Sequence, residues 1–377
     1  MKNSISTKHS PRRNDNSQSI YDIGIIGAGP AGATLARLLA DRYRILLLDS
    51  GRQKCCGGLL NPAGQKALAQ WKLTPPEHVR IDTQPSAVTI MDWDNNLVRS
   101  YARQYINMDR TAFDRWLLSL VPQTVDVRTN AIYQKSETNA ANLNLHFNEN
   151  EEPKTAQVRY LVGADGAFSA VRREFFPNVN TPKRYIAVQY WFEQGDVSVT
   201  PNFGADVWND YTGIFDSTLT DFYMWTIPKN GQLIVGGAFP LRTNVSATMN
   251  TVITTLSLFG LRLGIPVKRE AGQIFRPLCP TSFCFGDART ILVGEASGLI
   301  SPVTAEGFSS AFASALALSE AFLQMGFDAT LYRRLLRSWQ WKLWLRRHKM
   351  PIMFNPFIRK CVLLSGITAR RNTTQEK

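Results

Sequence analysis

The stretch YDIGIIGAGPAGATLARLLADRYRILLLDS, residues 21–50, contains a short apolar run, a glycine-rich turn, an Ala- and Leu-rich segment and a second apolar run. This order predicts a strand, a tight turn, a helix and a second strand. Gly27 permits the turn, Gly29 lets the backbone approach a pyrophosphate closely, and Gly32 lets the helix pack on the sheet. Phosphate oxygens can then bind the free N–H groups where the helix starts. The stretch therefore predicts a dinucleotide site.

An acidic residue follows the second strand at the position where such sites bind a ribose. Asp49 ends the apolar run, and its carboxylate can accept hydrogen bonds from both ribose hydroxyls. A glycine pattern of this kind also occurs in turns that serve only the strand–helix–strand unit. The motif alone does not separate FAD from NAD.

Charge is distributed unevenly along the chain. The 377 residues, 44% of them apolar, suffice for two domains that share a core, and the formal net charge is +13. Residues 329–375 contain eleven Lys or Arg and no acid, and residues 1–20 contain four basic residues and one acid, so the body between them is near neutral. This distribution gives no electrostatic support for nucleic-acid binding by the body.

Cysteine content and hydropathy indicate the compartment. Five cysteines, an odd number without disulfide-like spacing, fit a reducing environment. No uninterrupted apolar run is long enough for a spanning helix, and residues 1–20, which we interpret as a disordered tail, have no apolar core for a signal peptide. We expect a cytoplasmic protein, or one attached at most peripherally to the inner face of the membrane.

Two further glycine turns follow buried strands. The predicted strand 156–162 ends in GADG, which contains Asp165, and the predicted strand 291–293 ends in Gly294 and Glu295. The loop 301–307 then leads into an Ala-rich helix, 308–323, whose N-terminal dipole would point at an electron-rich ring or a reduced, anionic flavin. The first two turns already suit a large dinucleotide better than a small ligand.

Several other residues allow two interpretations each. Cys56, beside Gly57 and Gly58, is either a small buried residue or a donor, acid or redox partner near a planar ring. Arg110, at the predicted start of a helix, either contacts a phosphate or is solvated. The aromatic β-rich segments 184–192, 223–228 and 232–239 form either core or the apolar wall of a pocket.

The three turns in this order resemble the FAD-binding fold of the p-hydroxybenzoate hydroxylase type. Within it, the chain resembles the geranylgeranyl-reductase-like FAD-dependent oxidoreductases over residues 21–365, through three motifs. These are the CGG loop at 56–58, Tyr-x-Trp-x-x-Pro-Lys at 223–229 and Ser-Pro-x-Thr-x-Glu-Gly at 301–307.

The resemblance implies an α/β fold with α+β elements: a Rossmann-like FAD-binding domain with an inserted antiparallel β-sheet substrate domain. We assign residues 21–84, 101–182 and 277–328 to the FAD-binding domain, 85–100 and 183–276 to the substrate domain, and 329–377 to a basic C-terminal helical region.

The resemblance also implies roles for individual residues. The cofactor-binding residues would be Gly27, Gly29, Pro30, Ala31, Gly32, Asp49, Arg110, Asp165, Gly294, Glu295, Pro302 and Gly307. Glu295 stands where the family has an Asp that holds the flavin's ribityl chain, and its side chain is one methylene longer. The loop 302–307 would lie over the isoalloxazine, with Cys56 on the other side. Cys56, Tyr223 and Trp225 would form the catalytic site, and no metal is expected.

The chemistry implied by FAD is reduction of a C=C bond of an isoprenoid or polyprenyl lipid, with Cys56 or an ordered water as the acid. None of the four histidines lies in a motif. NADPH, bound in a groove shared with substrate, or a ferredoxin-like protein would donate electrons. The alternatives are a monooxygenase that hydroxylates a small aromatic substrate and a flavoprotein that binds a lipid carrier without turnover.

The basic C-terminal region contains Trp339, Trp341 and Trp344. Such a helix either lies on an anionic membrane surface or packs its tryptophans on the FAD-binding domain with its charges in water. Basic and aromatic residues also occur together in single-stranded nucleic-acid sites, but no binding fold accompanies them here, and we expect no nucleic-acid partner.

Overall fold

The computed structural model describes residues 20–324 and 326–366, and most of its strands belong to two seven-stranded sheets. In chain order the strands are β1 (Tyr21–Ile26), β2 (Ile45–Leu48), β3 (Leu59–Leu60), β4 (Ala87–Asp92), β5 (Leu97–Ala102), β6 (Ile106–Asn107), β7 (Asp126–Arg128), β8 (Ala131–Thr138), β9 (Leu143–Glu149), β10 (Glu152–Gly163), β11 (Lys183–Glu193), β12 (Val197–Val199), β13 (Asp210–Phe215), β14 (Met224–Lys229), β15 (Gln232–Pro240), β16 (Leu261–Leu263), β17 (Lys268–Arg276) and β18 (Thr290–Leu292). The helices are α1 (Pro30–Leu39), α2 (Pro62–Gln70), α3 (Arg110–Ser119), α4 (Ala170–Phe175), α5 (Val245–Leu258), α6 (Phe308–Leu323), α7 (Ala329–Arg347), α8 (Met350–Phe354) and α9 (Pro356–Leu364). The predicted tail, apart from Ile20, and residues 367–377 lie outside the described residues.

The first sheet brings the three predicted turns to one edge. Its order is β7-β2-β1-β10-β9-β8, with β18 beside β10, and β1, β2, β7, β10 and β18 run parallel. Gly163, the last residue of β10, is in register with both Ile26 of β1 and Leu292 of β18. The turns that follow these three strands therefore lie side by side, at the carboxyl edge where open α/β sheets bind ligands.

The second sheet has the order β17-β11-β15-β14-β13-β4-β5. All of its pairs are antiparallel except β4 with β13, which run parallel. These two strands are separated by a long stretch of chain that includes strands of the first sheet, so no hairpin forces them to be antiparallel. Strand β5 ends at Ala102, two residues beyond the predicted 85–100 segment.

Helices α1, α6 and α7 form a common core with the first sheet. Helix α6 is rich in Ala and Ser, and most of its residues are buried, which lets it approach the turn before it closely. The Ser314 hydroxyl accepts a hydrogen bond of 2.8 Å from the backbone N–H of Gly294. This contact fixes the third turn to the helix that follows it.

The C-terminal helices pack on both sheets. Helix α7 buries Leu331, Leu336 and Leu343 in the core of the first sheet. Helix α9 lies against the second sheet, where buried Arg359 forms ion pairs of 2.7 Å with Asp92 and 2.5 Å with Asp94. Within the described ranges, no helix combines the length and apolar character needed to cross a bilayer.

Candidate functional site

The first turn forms an open cradle at the start of α1. Gly27 has φ +102°, and a Cβ there would lie 2.7 Å from the carbonyl oxygen of Ala164 in the second turn. A Cβ at Gly32 would lie 1.9 Å from the Gly27 oxygen, whereas one at Gly29 would meet nothing within 4 Å. The N-terminus of α1 also has no side-chain cap. Space and unpaired donors thus occur together where a pyrophosphate is expected. Pro30 and Ala31 form the first turn of this helix.

Asp49 follows the carboxyl end of β2. Its backbone N–H donates to the Arg128 oxygen over 2.8 Å, and its Oδ1 accepts from the Gly51 N–H over 3.2 Å. The residue is half-buried. This position is compatible with the predicted ribose contact, which stays a prediction.

Asp165 presents a buried oxygen in the second turn. Its Oδ2 accepts hydrogen bonds from the N–H groups of Ala170 and Val171, over 2.7 and 3.3 Å. Its Oδ1 is buried and has no hydrogen-bond partner in the described part of the chain. Desolvation raises the pKa of this carboxyl group. A buried acceptor without a partner is costly, so the turn fits a ligand that donates a hydrogen bond.

Glu295 is already engaged in the third turn. Its Oε2 lies 2.5 Å from Lys54 Nζ, and its Oε1 accepts from the Phe275 N–H over 3.0 Å. The Glu295 side chain is only 8% exposed, so a cation and an N–H donor offset its desolvation. The predicted ribityl contact stays a prediction, and Lys54 would have to share or release an oxygen. Lys54 had no role in the sequence analysis.

Arg110 is also paired within the protein. Its guanidinium contacts Asp114, one helical turn on, at 3.0 Å from Nε and 2.9 Å from Nη2. It also lies 4.9 Å from the ring centroid of Phe308. The arginine is therefore not simply solvated, and its predicted phosphate contact would have to compete with Asp114.

The CGG loop contacts the second sheet directly. Gly58 has φ +62°, and a Cβ there would lie 2.2 Å from the Met108 oxygen. A Cβ at Gly57 would lie 2.3 Å from Ile227 Cδ1 of β14. The half-buried Cys56 Sγ accepts from the Gly58 N–H over 3.4 Å. Only glycines fit this close approach to the rest of the protein, and the contact of the loop with a flavin ring stays a prediction.

Lys229 lies under the CGG loop and was not assigned a role from sequence. It is 6% exposed, and its Nζ donates to Asn107 Oδ1 over 2.5 Å and to the Met108 oxygen over 3.0 Å. Burial lowers the pKa of this ammonium group to about 7, although interaction with Cys56 partly opposes the shift. Its place in the Tyr-x-Trp-x-x-Pro-Lys motif was the available signal, because a lysine that ends a buried strand must find partners.

Glu306 holds the loop 301–307 and was likewise not assigned. Its carboxylate accepts from Asn61 Nδ2 over 2.8 Å and from the Tyr105 hydroxyl over 2.7 Å, and it lies 3.3 Å from Arg103 Nη2. The preceding Ala305 has φ +52°, a conformation that non-glycine residues rarely adopt. Side-chain contacts thus hold a strained loop where the flavin ring is expected.

Two further residues fix the same loop. Arg276 Nε donates to the Pro302 oxygen over 3.0 Å, and the Tyr223 hydroxyl donates to the Thr304 oxygen over 2.7 Å. The loop ends at Gly307, where α6 starts without a side-chain cap. This N-terminus is the second one available to an electron-rich ligand.

The face of the second sheet beside these loops is aromatic. Ring centroids lie 5.6 Å apart for Tyr223 and Trp225, and 5.9 Å apart for Phe215 and Tyr223. The indole Nε1 of Trp225 is buried without a partner in the described ranges. Tyr223 and Trp225 therefore lie on the surface that faces the CGG loop and the loop 301–307.

The residues present fit FAD. The Gly29 cradle, the unpartnered Asp165 oxygen and the uncapped start of α6 follow three adjacent strands of one sheet. These features provide, in turn, space for phosphates, an acceptor for a hydroxyl and N–H donors for an electron-rich ring.

Comparisons with known proteins identify relatives. The chain is 35% identical to Protein CbrA of Escherichia coli O6:H1 over 356 residues, which are 92% of this chain and 94% of that protein. No family model matches. A geranylgeranyl bacteriochlorophyll reductase-like protein from Thermoplasma acidophilum superposes with a TM-score of 0.73 at 17% identity, over 94% of this chain and 93% of that one. Klebsiella pneumoniae HpxO, solved with FAD and uric acid, gives a TM-score of 0.65 at 15% identity, over 91% and 92%. The fold is that of FAD-dependent flavoproteins, which confirms the predicted fold class.

Proposed function

This chain belongs to the CbrA family, and on that premise we propose that it is an FAD-dependent oxidoreductase that reduces a C=C bond of an isoprenoid or polyprenyl lipid. The observation that carries the proposal is the position of β14. Ile227 of this strand meets the CGG loop, and Tyr223, directly before it, meets the loop 301–307. An apolar, aromatic surface thus lies against both loops expected around the flavin ring.

FAD would be held by the three turns. Gly27, Gly29 and Gly32 with Pro30 and Ala31 would bind the pyrophosphate at the start of α1, and Asp49 the adenosine ribose. Asp165, Gly294 and Glu295 would lie along the chain that leads to the ring, which Pro302 and Gly307 would border. When bound and reduced, FAD supplies a hydride for one carbon of a C=C bond.

Residues of the protein would orient the substrate and exclude water. Tyr223 and Trp225 would present their ring faces to an apolar substrate chain. Contact with an isoprenoid would exclude more water from these rings. Trp225 Nε1 keeps an unused donor for a polar end of the substrate. The buried Arg276 lies 4.4 Å from the ring centroids of Phe222 and Phe354, which places a guanidinium beside this aromatic surface.

The second carbon of the double bond needs a proton. We assign Cys56 as the donor because its sulfur is half-buried in the loop that touches β14, and because Arg110 and Lys229 interact electrostatically with it. Arg110 is a cation, and Lys229 is one when it is protonated, so both can attract negative charge that develops on the sulfur as the proton leaves. NADPH or a ferredoxin-like protein is proposed to reduce the flavin.

The test is anaerobic turnover. Purified flavin-loaded protein, reduced by dithionite, is mixed with polyprenyl lipids, and the products are analysed by mass spectrometry. We expect a gain of two hydrogens per reduced isoprene unit and reoxidation of the flavin absorbance. Cys56→Ser should slow turnover by about tenfold or more without releasing FAD.

Two outcomes would contradict the assignment. Oxygen consumption coupled to NADPH oxidation in the presence of a small aromatic compound would favour the monooxygenase. A bound flavin that no donor reduces, together with lipid binding, would favour the non-catalytic lipid-carrier protein. Lipid profiles of cells with and without the protein would identify the natural substrate.

A further inference from the structure

Helix α9 has an apolar stripe that faces away from the protein. Its inward side is formed by the buried Arg359 and Leu363. On the outward side Phe357 is 74% exposed and Leu364 is 56% exposed, and the exposed Cys361 lies between them. The spacing i, i+4 and i+7 places these three residues on one helical face. Nothing in the described structure covers this face.

Helix α7 adds a second exposed apolar pair. Trp341 and Leu345, four residues apart, are 53% and 54% exposed. Trp339 points the other way, since its Nε1 donates to the Ser310 hydroxyl of α6 over 3.0 Å. The tryptophans of this region are therefore divided: Trp339 packs on the FAD-binding domain, whereas Trp341 is exposed, and the predicted membrane contact stays a prediction.

Positive charge surrounds the exposed apolar residues. Residues 329–366 contain nine Lys or Arg and no acid. Within the described ranges, the ion pairs of this segment are those of Arg359 with Asp92 and Asp94. Exposed cations, including Lys342, Arg347, Lys349 and Lys360, lie near the apolar stripes in sequence. Two copies of such a surface would repel each other, whereas an anionic lipid surface complements it.

The same segment reaches the aromatic face of the candidate site. The Phe354 ring lies 6.0 Å from that of Phe215 and 5.6 Å from that of Phe222. Phe215 in turn contacts Tyr223. A continuous series of aromatic rings thus leads from the catalytic face to α8, between the two exposed stripes.

We propose that residues 341–364 seat on an anionic phospholipid bilayer, with Trp341, Leu345, Phe357 and Leu364 inserted among the lipids and the surrounding cations on the head groups. The bilayer then delivers the lipid substrate past Phe354 to the site. Only this delivery rests on the proposed function, because the surface itself can be tested without turnover.

The experiment is flotation of the purified, flavin-loaded full chain with vesicles. One set contains phosphatidylglycerol mixed with phosphatidylcholine, and the other contains phosphatidylcholine alone. We expect binding to the anionic set only, with loss of binding at high salt. The double variant Phe357→Ser with Leu364→Ser should reduce the bound fraction about tenfold or more. The matched control is Leu258→Ser with Ile265→Ser, because those side chains are 84% and 82% exposed elsewhere on the surface.

Three results would overturn the proposal: equal binding to both vesicle sets, no binding to either, or equal loss in the control variant. A fourth comes from light scattering. If the wild-type protein is a dimer and the α9 variant is a monomer, the exposed face of α9 binds a second copy of the chain instead of a bilayer. Thermal unfolding and flavin absorbance check that both variants fold. Binding without alkene reduction refutes only the proposed function, whereas reduction of detergent-dispersed lipid without vesicle binding refutes only this inference.

Discussion

The hydroxyl of Tyr223 donates a hydrogen bond of 2.7 Å to the carbonyl oxygen of Thr304, which joins the aromatic face of the second sheet to the loop 301–307. The two residues are 81 positions apart. Burial raises the pKa of the Tyr223 hydroxyl, so it remains a neutral donor across the physiological range. The substrate surface and the loop expected over the flavin are thereby held at a fixed separation.

Tyr223→Phe tests this contact, because it keeps the ring and removes the donor. We expect the free energy of unfolding to fall by about 1 kcal/mol and the flavin to become more accessible to solvent. Chemical denaturation and flavin fluorescence measure the two effects. Tyr43→Phe is the control, since the Tyr43 hydroxyl donates a similar bond, of 2.6 Å, to the Phe322 oxygen at the far end of α6. Equal fluorescence changes in both variants would assign Tyr223 a structural role only.

Two glycine variants separate folding from cofactor binding. Gly32→Ala places a Cβ 1.9 Å from a backbone oxygen, and we expect a loss of roughly 3 kcal/mol or more in stability. Gly29→Ala places a Cβ in open space on an extended backbone. The free energy of unfolding of the apoprotein should therefore stay within about 0.5 kcal/mol of the wild-type value.

The methyl group that Gly29→Ala adds would also fill the phosphate cradle, and we expect FAD affinity to fall at least about tenfold. Unfolding of the apoprotein and FAD titration followed by fluorescence quenching measure stability and affinity separately. Wild-type FAD affinity in Gly29→Ala would show that the pyrophosphate binds elsewhere.

Lys229 predicts a pH-dependent stability. Its pKa is about 7 in the folded protein, against 10.5 for an ordinary lysine. Below pH 7 Lys229 is protonated in both the folded and the unfolded chain, and the cost of burying its charge is present in full. Between these pKa values the unfolded chain binds more protons, so the folded state gains stability as pH rises.

We expect wild type to gain about 2 kcal/mol relative to Lys229→Met between pH 7 and pH 9. Urea denaturation of both proteins at the two pH values measures the difference. A difference that does not change with pH would mean that Lys229 stays charged when buried.

Glu306 holds the loop 301–307, so its substitution should make this loop less ordered. In Glu306→Gln one carboxylate oxygen becomes an NH2 group that faces the donors of Asn61, Arg103 and Tyr105. We expect stability to fall by about 1–3 kcal/mol and limited proteolysis to begin in this loop. Glu320→Gln, an exposed substitution in α6, is the control and should change neither measurement. If proteolysis of Glu306→Gln begins outside the loop 301–307, the role assigned to Glu306 is wrong.

The parts of the fold that follow local patterns could be predicted from the sequence. The glycine turn after β1 and the Ala-rich helix α6 are each encoded in consecutive residues, and α6 spans residues 308–323 as expected. The parallel β4–β13 pair could not be predicted, because it depends on how separate segments of the chain meet.

The partners of the site residues had no local signal. Glu306 and Asn61 are 245 positions apart, and Glu295 and Lys54 are 241 apart. Burial of Lys229 was equally hidden, since its partners Asn107 and Met108 belong to another segment. The sequence patterns identified the turns that meet at one edge of the sheet. The long-range contacts determine which side chains there already have partners within the protein.

The contact between Arg359 and Asp92 has a consequence for synthesis of the protein. The two residues are 267 positions apart, and Asp92 is fully buried. While the ribosome is still making the chain, the carboxylates of Asp92 and Asp94 have no guanidinium to neutralise them, and an unpaired buried charge is strongly unfavourable. We therefore expect the second sheet to close only after the C-terminal helices have been released. A nascent chain that stops before α9 should keep its aromatic face open to water.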